Sequence, residues 1–393
     1  MQNIYYKLKD VIKSANTGLD AIQRAPIVNY ETKYKCLRIQ DISQSKRFED
    51  WGNTEVQTNY YNEFRLQKND IIIARTGSTI GINTFINYDI PAVFNNGLIR
   101  LRTNELVIPY YCYLFMQTKY FKEYINNISC GTSTQPNMKI NDLLDVDFPY
   151  VDINDQQHIV NTIGSIDDLI EKKFQIIKKM EHFSSLLYKN SVNNCLCKTK
   201  VKLSEYTKCL NGYSYKGEEL SENSNIGMIT IKNFDRSGGF KIDGIKPLTP
   251  LKQNFPKIDK FALLVAHTDL TQNAEIIGNP ILLLNTSNYD ILTYSMDIVQ
   301  LLPQKNVGIF FLFEELKSTN FKKYSLGYTH GTTVLHLSKD ALKEYSFYIP
   351  NDPKLIENLD KKISNIYERI SIIFSEIEVL NSLKKIFLDK YFR

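Results

Sequence analysis

Two stretches of this chain carry apolar residues at spacings that alternate between three and four, and the long blocks preceding them do not. The first stripe runs Ile159, Ile163, Ile166, Ile170, Ile177, Met180 and Leu187, with Lys173 and Ser184 interrupting it. The second runs Ile356, Leu359, Ile363, Ile366, Ile370, Ile373, Ile377, Leu380, Phe387 and Tyr391, with Lys384 as the polar member. Such spacing puts one narrow apolar seam along a helix, and that seam needs a second helix to cover it. The pattern predicts helices over about 154–190 and 354–391, with Asn154 as the N-cap of the first. At about 1.5 Å per residue each is roughly 55 Å long. The lengths match, so each seam can cover the other, and local concentration favours antiparallel pairing within the chain.

The blocks between the stripes read as short strands punctuated by turns. In the first, Lys35–Ile42, Asp70–Arg75, Phe85–Ile86 and Leu98–Arg102 have strand composition, and Thr76–Gly81 is a loop. Pro109 to Tyr124 has helical composition, with Pro109 near its start. In the second block the strand-like runs are Gly227–Ile231, Phe261–Ala266, Ile281–Leu284 and Ile298–Leu302. Turns are signalled there at Asn211-Gly212, Ser237-Gly238-Gly239 and Asp243-Gly244.

The blocks also echo one another. Leu37 to Ile42 returns as Ile229 to Phe234, Ile71 to Thr76 as Leu263 to Thr268, and Gly131-Thr132-Ser133 as Gly331-Thr332-Thr333. A unit that recurs in tandem implies two copies of one device. The expected organisation is therefore a globular domain over 1–151, a long helix over 152–190, a second domain over 191–351 and a long helix over 352–393. The fold class is mixed α/β (α+β): two similar domains separated by two antiparallel coiled-coil helices, with a pseudo-twofold internal repeat.

Composition excludes more than it selects. An apolar fraction of 43% and a charged fraction of 23% over 393 residues are those of an ordinary globular protein. No run of 18 apolar residues and no signal pattern occurs, so a cytoplasmic protein is expected. The six cysteines include no C-x-x-C pair and no zinc spacing, and no metal or cofactor is expected. There is no phosphate-binding G-x-x-x-x-G-K-[ST], no H-E-x-x-H and no nucleophile elbow. Asp147-Phe148-Pro149-Tyr150 departs from the D-P-P-Y loop of amino-methyltransferases at Phe148, and Glu171-Lys172-Lys173, an E-x-K string, lies inside the predicted helix. No catalytic residue is assigned. The net charge of +5 lies mainly on the two domains and is compatible with phosphate contacts.

The order of these parts resembles the specificity (S) subunits of type I restriction–modification systems, over essentially the whole chain. Lys68 to Gly77 (KNDIIIARTG) is similar to that family's K-x-D-I-L-[IV]-[AS]-[RT]-x-G. Gly131 to Met138 is similar to its G-[ST]-x-Q-x-x-[LI], and Phe148-Pro149 through Gln156-Gln157-His158-Ile159 to its entry into the conserved helix. The second copy is looser: Ala266-His267-Thr268-Asp269 replaces Ala-Arg-x-Gly, and Gly331-Thr332-Thr333-Val334 lacks the glutamine.

The resemblance implies a non-catalytic DNA reader. Each domain would be a target-recognition domain reading one half of a split double-stranded target. The helix pair would set the unread gap and dock two methyltransferase subunits, with restriction–translocase subunits added outside. On that reading the DNA-binding residues of the first domain are Lys46, Arg47, Arg75, Thr76, Ser78, Thr79, Thr134 and Gln135. In the second they are Lys232, Asn233, Arg236, His267, Thr268, Thr271, His330 and Thr332. Arginine and glutamine suit guanine and adenine edges, and hydroxyls and lysine suit phosphate. Tyr60 and Tyr61 read as core aromatics in preference to wedges between bases. Two other readings stay open: a rod displaying two domains for protein or glycan partners, and a specificity subunit of a type II-like system.

Overall fold

The structure is a computed structural model. It describes the chain except residues 1–3, 45, 130–136, 222–223, 237, 242–243, 252–253, 272–273, 285–288, 339 and 393. The chain forms two compact units, Met1–Leu169 with Leu380–Arg393, and Ile170–Val379.

In the first unit an antiparallel sheet has the strand order Ile12–Thr17, Leu98–Thr103, Ile71–Ala74, Asn83–Phe85. The Ile71–Ala74 strand is buried on both faces, and successive side chains enter different cores. Ile71 and Ile73 join Val11, Ile99, Phe115 and Phe148, whereas Ile72 and Ala74 join Leu37, Trp51 and Phe94. That explains why IIIA reads as a continuous apolar run instead of an alternating one. A second sheet orders Ile27–Val28, Gly52–Thr54, Tyr34–Leu37 and Ala92–Phe94, the last two parallel. Tyr60 and Tyr61 lie half-buried against its core, and Tyr61 stacks on Tyr34 at 4.1 Å between centroids.

The second unit repeats this plan. Its antiparallel sheet orders Thr207–Asn211, Ile298–Pro303, Leu263–Ala266 and Pro280–Leu282. The parallel pair recurs as Ile226–Ile229 beside Ile291–Tyr294, with Ile229 opposite Tyr294 as Leu37 is opposite Phe94.

Several boundaries differ from expectation, each because a polar side chain caps a chain reversal. The strand expected over Lys35–Ile42 ends at Leu37 and turns into a short helix, Ile39–Ser43. The buried Asp41 carboxylate accepts the Arg38 amide at 3.0 Å and the Arg38 guanidinium at 3.0 and 3.1 Å, which fixes the turn. In the second unit Asn233 plays that part, accepting the Thr230 amide at 2.9 Å, and the strand stops at Ile229. The helix expected over Pro109–Tyr124 is two helices, Pro109–Met116 and Lys119–Ser129. Thr118 separates them: its hydroxyl donates to the Phe115 carbonyl and accepts from the Phe121 amide. The cap of the first long helix is Asp152, not Asn154. Asp152 Oδ1 accepts the amides of Asn154 and Asp155, so the helix begins at Ile153.

The long helices are Ile153–Asn193 and Pro353–Tyr391, and they pack antiparallel. Within the first unit His158 faces Tyr391, and Asp167 meets Lys384. Within the second, Lys173 meets Glu376 at 2.6 Å. The two lysines that interrupt the seams thus each find a carboxylate on the opposite helix. Ser184, the other interruption, donates to Glu314 at 2.7 Å.

Seam residues pack against the domains as well as each other. Ile159 and Ile163 share a buried cluster with Leu388, Tyr111 and Phe148, and half-buried Phe387 borders it. Ile356, Leu359, Ile363, Ile370, Ile373 and Ile377 share one with Ile177, Phe310 and Phe311. Ile166 is buried, and Ile170, Met180, Leu187, Ile366 and Leu380 are half-buried.

Candidate nucleic-acid interface

The loops that carry Arg75 and His267 leave the sheets through the same backbone junction. The Arg75 amide donates to the Gly97 carbonyl at 2.9 Å, and its carbonyl accepts the Met138 amide at 2.8 Å. The His267 amide donates to the Asp297 carbonyl at 2.8 Å, and its carbonyl accepts the Leu337 amide at 2.9 Å. Each loop closes on a glycine: Gly81 donates to the Ala74 carbonyl and Gly278 to the Ala266 carbonyl, both at 2.9 Å. Both glycines have positive φ, +87° and +75°. A Cβ at Gly81 would lie 2.8 Å from Ile125 Cγ2, and one at Gly278 would lie 2.6 Å from Ser325 Cβ. Conformation and space therefore both demand glycine there.

In the first domain the structure brings Arg75, Thr76, Ser78 and Thr79 into one loop, turned at Gly77, whose φ is +79°. Arg75 is half-buried and donates to Asn137 Oδ1 at 2.9 Å, and its Nε has no partner among the described residues. Thr76 bridges to Asn137 through the backbone. Ser78 is exposed and Thr79 half-buried. Thr134 and Gln135 lie outside the described residues.

Lys46 and Arg47 come from another segment, just after the Ile39–Ser43 helix. That helix is adjacent to the junction, because a Cβ at Gly97 would meet Ile39 Cδ1 at 2.7 Å. Lys46 lies 3.5 Å from the buried Asp41 carboxylate, so its charge is partly committed, and Arg47 is exposed.

In the second domain Thr268, His336 and His330 form one row across a small antiparallel sheet. Thr268 is opposite His336, which is opposite His330, and the two imidazole centroids are 6.1 Å apart. Thr268 is buried, and both histidines of the row and Thr332 are exposed. His336 is the residue that sequence reasoning missed. Its strand follows the Gly331-Thr332-Thr333 echo, and extending that echo downstream brings it opposite Thr268 as Asn137 is opposite Thr76.

Three other assigned residues are engaged within the fold. Asn233 is fully buried and donates to the Lys241 carbonyl at 2.9 Å, so both ends of its amide are occupied. Arg236 pairs with Glu275 at 3.1 Å. Thr271 donates its amide and its hydroxyl to Asp269 Oδ1, each at 2.7 Å. Lys232 is exposed. Burial alone would raise the Asp269 carboxyl, but the Thr271 donors and the amides of Ile276 and Ile277 outweigh it and hold the group below the usual carboxylate range.

Among the described residues no cluster of histidine, cysteine and carboxylate side chains is placed to hold a metal ion, and no helix is long and apolar enough to cross a membrane.

Two sheet-rich domains built on one plan and linked by paired long helices make up the architecture. The same fold occurs in the crystal structure of the type I restriction–modification S subunit from M. genitalium, which matches with a TM-score of 0.54 at 15% identity, covering 100% of this chain and 96% of that one. Residues 4–182 match the family model described as the type I restriction modification DNA specificity domain. Residues 4–182, the first domain and most of the central helix, thus belong to the family of type I restriction–modification DNA specificity domains.

Two curated relatives come from Methanocaldococcus jannaschii. The MjaIX specificity subunit is 34% identical over 100 residues, 25% of this chain and 23% of the relative. The MjaVIII specificity subunit is 26% identical over 182 residues, 44% of this chain and 41% of the relative. The aligned stretches thus span less than half the length of either relative.

Proposed function

We propose that this chain is the non-catalytic DNA-reading subunit of a type I restriction–modification complex. Residues 1–151 and 191–351 act as target-recognition domains, and each reads one half of a bipartite duplex target. The helices over 152–190 and 352–393 set the unread gap, dock methyltransferase subunits and receive the restriction subunits outside them.

The observation that carries this reading is the duplicated junction. Arg75 and His267 leave the same three-strand node in the two domains, and the loops that follow differ in length and chemistry. A shared scaffold with divergent tips is what two readers of different base sequences require. The reading residues are Arg75, Thr76, Ser78 and Thr79 in one domain and His330, His336 and Thr332 in the other. Arg47 and Lys232 reach phosphate.

Docking of a helical partner is supported by a second apolar stripe on each long helix, distinct from the seam. In the second unit Ile176 and Phe183, seven residues apart, are 47% and 59% exposed, and Ile372 and Val379, also seven apart, are 47% and 67% exposed. A helix pair in water does not keep such stripes bare without a partner.

The test is co-expression with the cognate methyltransferase subunit and genome-wide mapping of methylated bases. A split motif with a fixed gap is expected, and replacing the loop at 75–80 alters one half only. A continuous motif, or none despite a well-formed complex, overturns the reading.

A further inference from the structure

The two loops that leave the duplicated junction differ in length. Between the closing hydrogen bonds the first contains residues 75–80 and the second residues 267–277, so the second is five residues longer. A longer loop has more conformations to lose on ordering, so something must hold it. A buried carboxylate and a half-buried ammonium do so.

Asp269 takes the loop's amides. Its Oδ2 accepts Ile276 N at 2.6 Å and Ile277 N at 3.0 Å, and Oδ1 accepts both donors of Thr271. Lys322, on the helix Thr319–Gly327, takes the carbonyls. Its Nζ lies 3.1 Å from Ala274 O, 3.1 Å from Glu275 O, 2.7 Å from Ile277 O and 2.8 Å from Asn279 Oδ1. Among the described residues every one of its near acceptors belongs to the loop or its closing turn. Glu275 is itself held by Arg236 at 3.1 Å.

Among the described residues the first domain has no such clasp. Its corresponding helix, Lys119–Ser129, packs Ile125 against Gly81 as Ser325 packs against Gly278. Lys122, the matching lysine, is exposed, and its ammonium makes no hydrogen bond or ion pair among the described residues. The clasp therefore accompanies the longer loop and is not a general requirement of the fold.

We propose that Lys322 is a positioning residue for recognition: its ammonium holds residues 274–279 in one shape and so sets the sequence preference of the second half-site without touching DNA. Burial lowers its pKa to about 8, which leaves it largely protonated at neutral pH, facing the carboxylates of Asp269 and Glu275. The inference rests on the proposed function.

The experiment uses the full chain co-expressed with its methyltransferase subunit. Genomic methylation is mapped, and the purified complex is then titrated with duplexes carrying the mapped motif or a mismatch in either half. In Lys322→Met, discrimination at the second half falls about tenfold or more, while the first half keeps its preference. The slope of log affinity against log salt stays at the wild-type value, since no phosphate contact is lost. Lys322→Arg, which keeps the charge and the donors, retains most of the discrimination.

If Lys322→Met instead weakens every duplex alike and lowers the salt slope by about 0.9, the residue is a phosphate contact and the inference is overturned. Wild-type discrimination in Lys322→Met overturns it as well. Should that variant not accumulate as a folded chain, Asn279→Ala removes one acceptor of the ammonium together with the Asn279 side chain's own donation to the Glu275 carbonyl. A smaller loss confined to the second half then supports the clasp, and wild-type behaviour rejects it. A wild-type complex that yields no split motif defeats the functional reading itself and the inference with it.

Discussion

Lys384 Nζ lies 2.7 Å from Asp167 Oδ1 at the one polar break in the C-terminal seam, and Tyr110 donates to the other oxygen of that carboxylate at 2.6 Å. One aspartate thus joins the two long helices and the first domain's Pro109–Met116 helix. Both partners of the ion pair are mostly buried, at 18% and 25% side-chain exposure, so it is screened less than a surface pair. Removing one partner leaves a charge with incomplete company. Lys384→Met is expected to destabilise the first unit by about 1–3 kcal/mol. A double-mutant cycle with Asp167→Asn, followed by denaturant unfolding, should give a coupling of about 0.5–3 kcal/mol. Additive losses would show that the pair contributes nothing.

Helix capping makes a smaller prediction. Asp152 satisfies two amides at the start of the central helix. Asp152→Ala should lower stability by about 1 kcal/mol, whereas Asn154→Ala should change it by a few tenths at most. The same unfolding experiment separates them, and the opposite ranking would restore Asn154 as the cap.

Base reading is tested at Arg75. Its guanidinium is held by Asn137, which limits its rotamers before any DNA arrives. Arg75→Ala is expected to relax specificity at one position of the first half-site by about 1–3 kcal/mol, read as methylation of near-cognate motifs. Unchanged affinity and unchanged motif would remove the loop from the interface.

Partner docking is tested on the exposed stripes. Phe183→Glu and Val379→Glu alter residues that are 59% and 67% exposed, so the fold should be indifferent to them. Association with the methyltransferase subunit should fall at least tenfold, measured by co-purification and titration, with thermal unfolding unchanged. Normal assembly would assign these faces elsewhere.

Acid and base should act on the second unit in opposite senses. Asp269 sits below the usual carboxylate range, so its contribution is present above about pH 4 and is lost as pH falls through its folded value. Glu315 is raised by burial, although hydrogen bonds from Tyr188 and Tyr345 oppose the shift. The folded chain then holds a proton that the unfolded chain has released, so this term weakens as pH rises from about 4.5 through the folded value. Glu315→Gln should flatten that part of a stability–pH curve, and Asp269→Asn should flatten the acid limb. Curves parallel to wild type would refute the assignments.

Sequence pattern determined the elements and their duplication, because periodicity and local echo need no knowledge of distant residues. The seams at Ile159 and Ile356, the strands at Ile71 and Leu263, and the loops that follow them were all legible in this way. The mixed α/β class with two linked domains followed from their order.

What tertiary structure decided was the fate of polar residues, since a partner far along the chain leaves no local trace. Lys173 and Lys384 read as flaws in a seam until Glu376 and Asp167 stand opposite them. Asn233 reads as an available reader, yet burial turns it into a cap. His336 and Lys322 carried no signal strong enough to single them out. Only the pairing of Leu335–Leu337 with Thr268–Asp269, and the packing of the Thr319–Gly327 helix under the loop, give them partners. Hydrophobic periodicity is a property of neighbours in sequence, whereas the satisfaction of a buried charge is a property of neighbours in space.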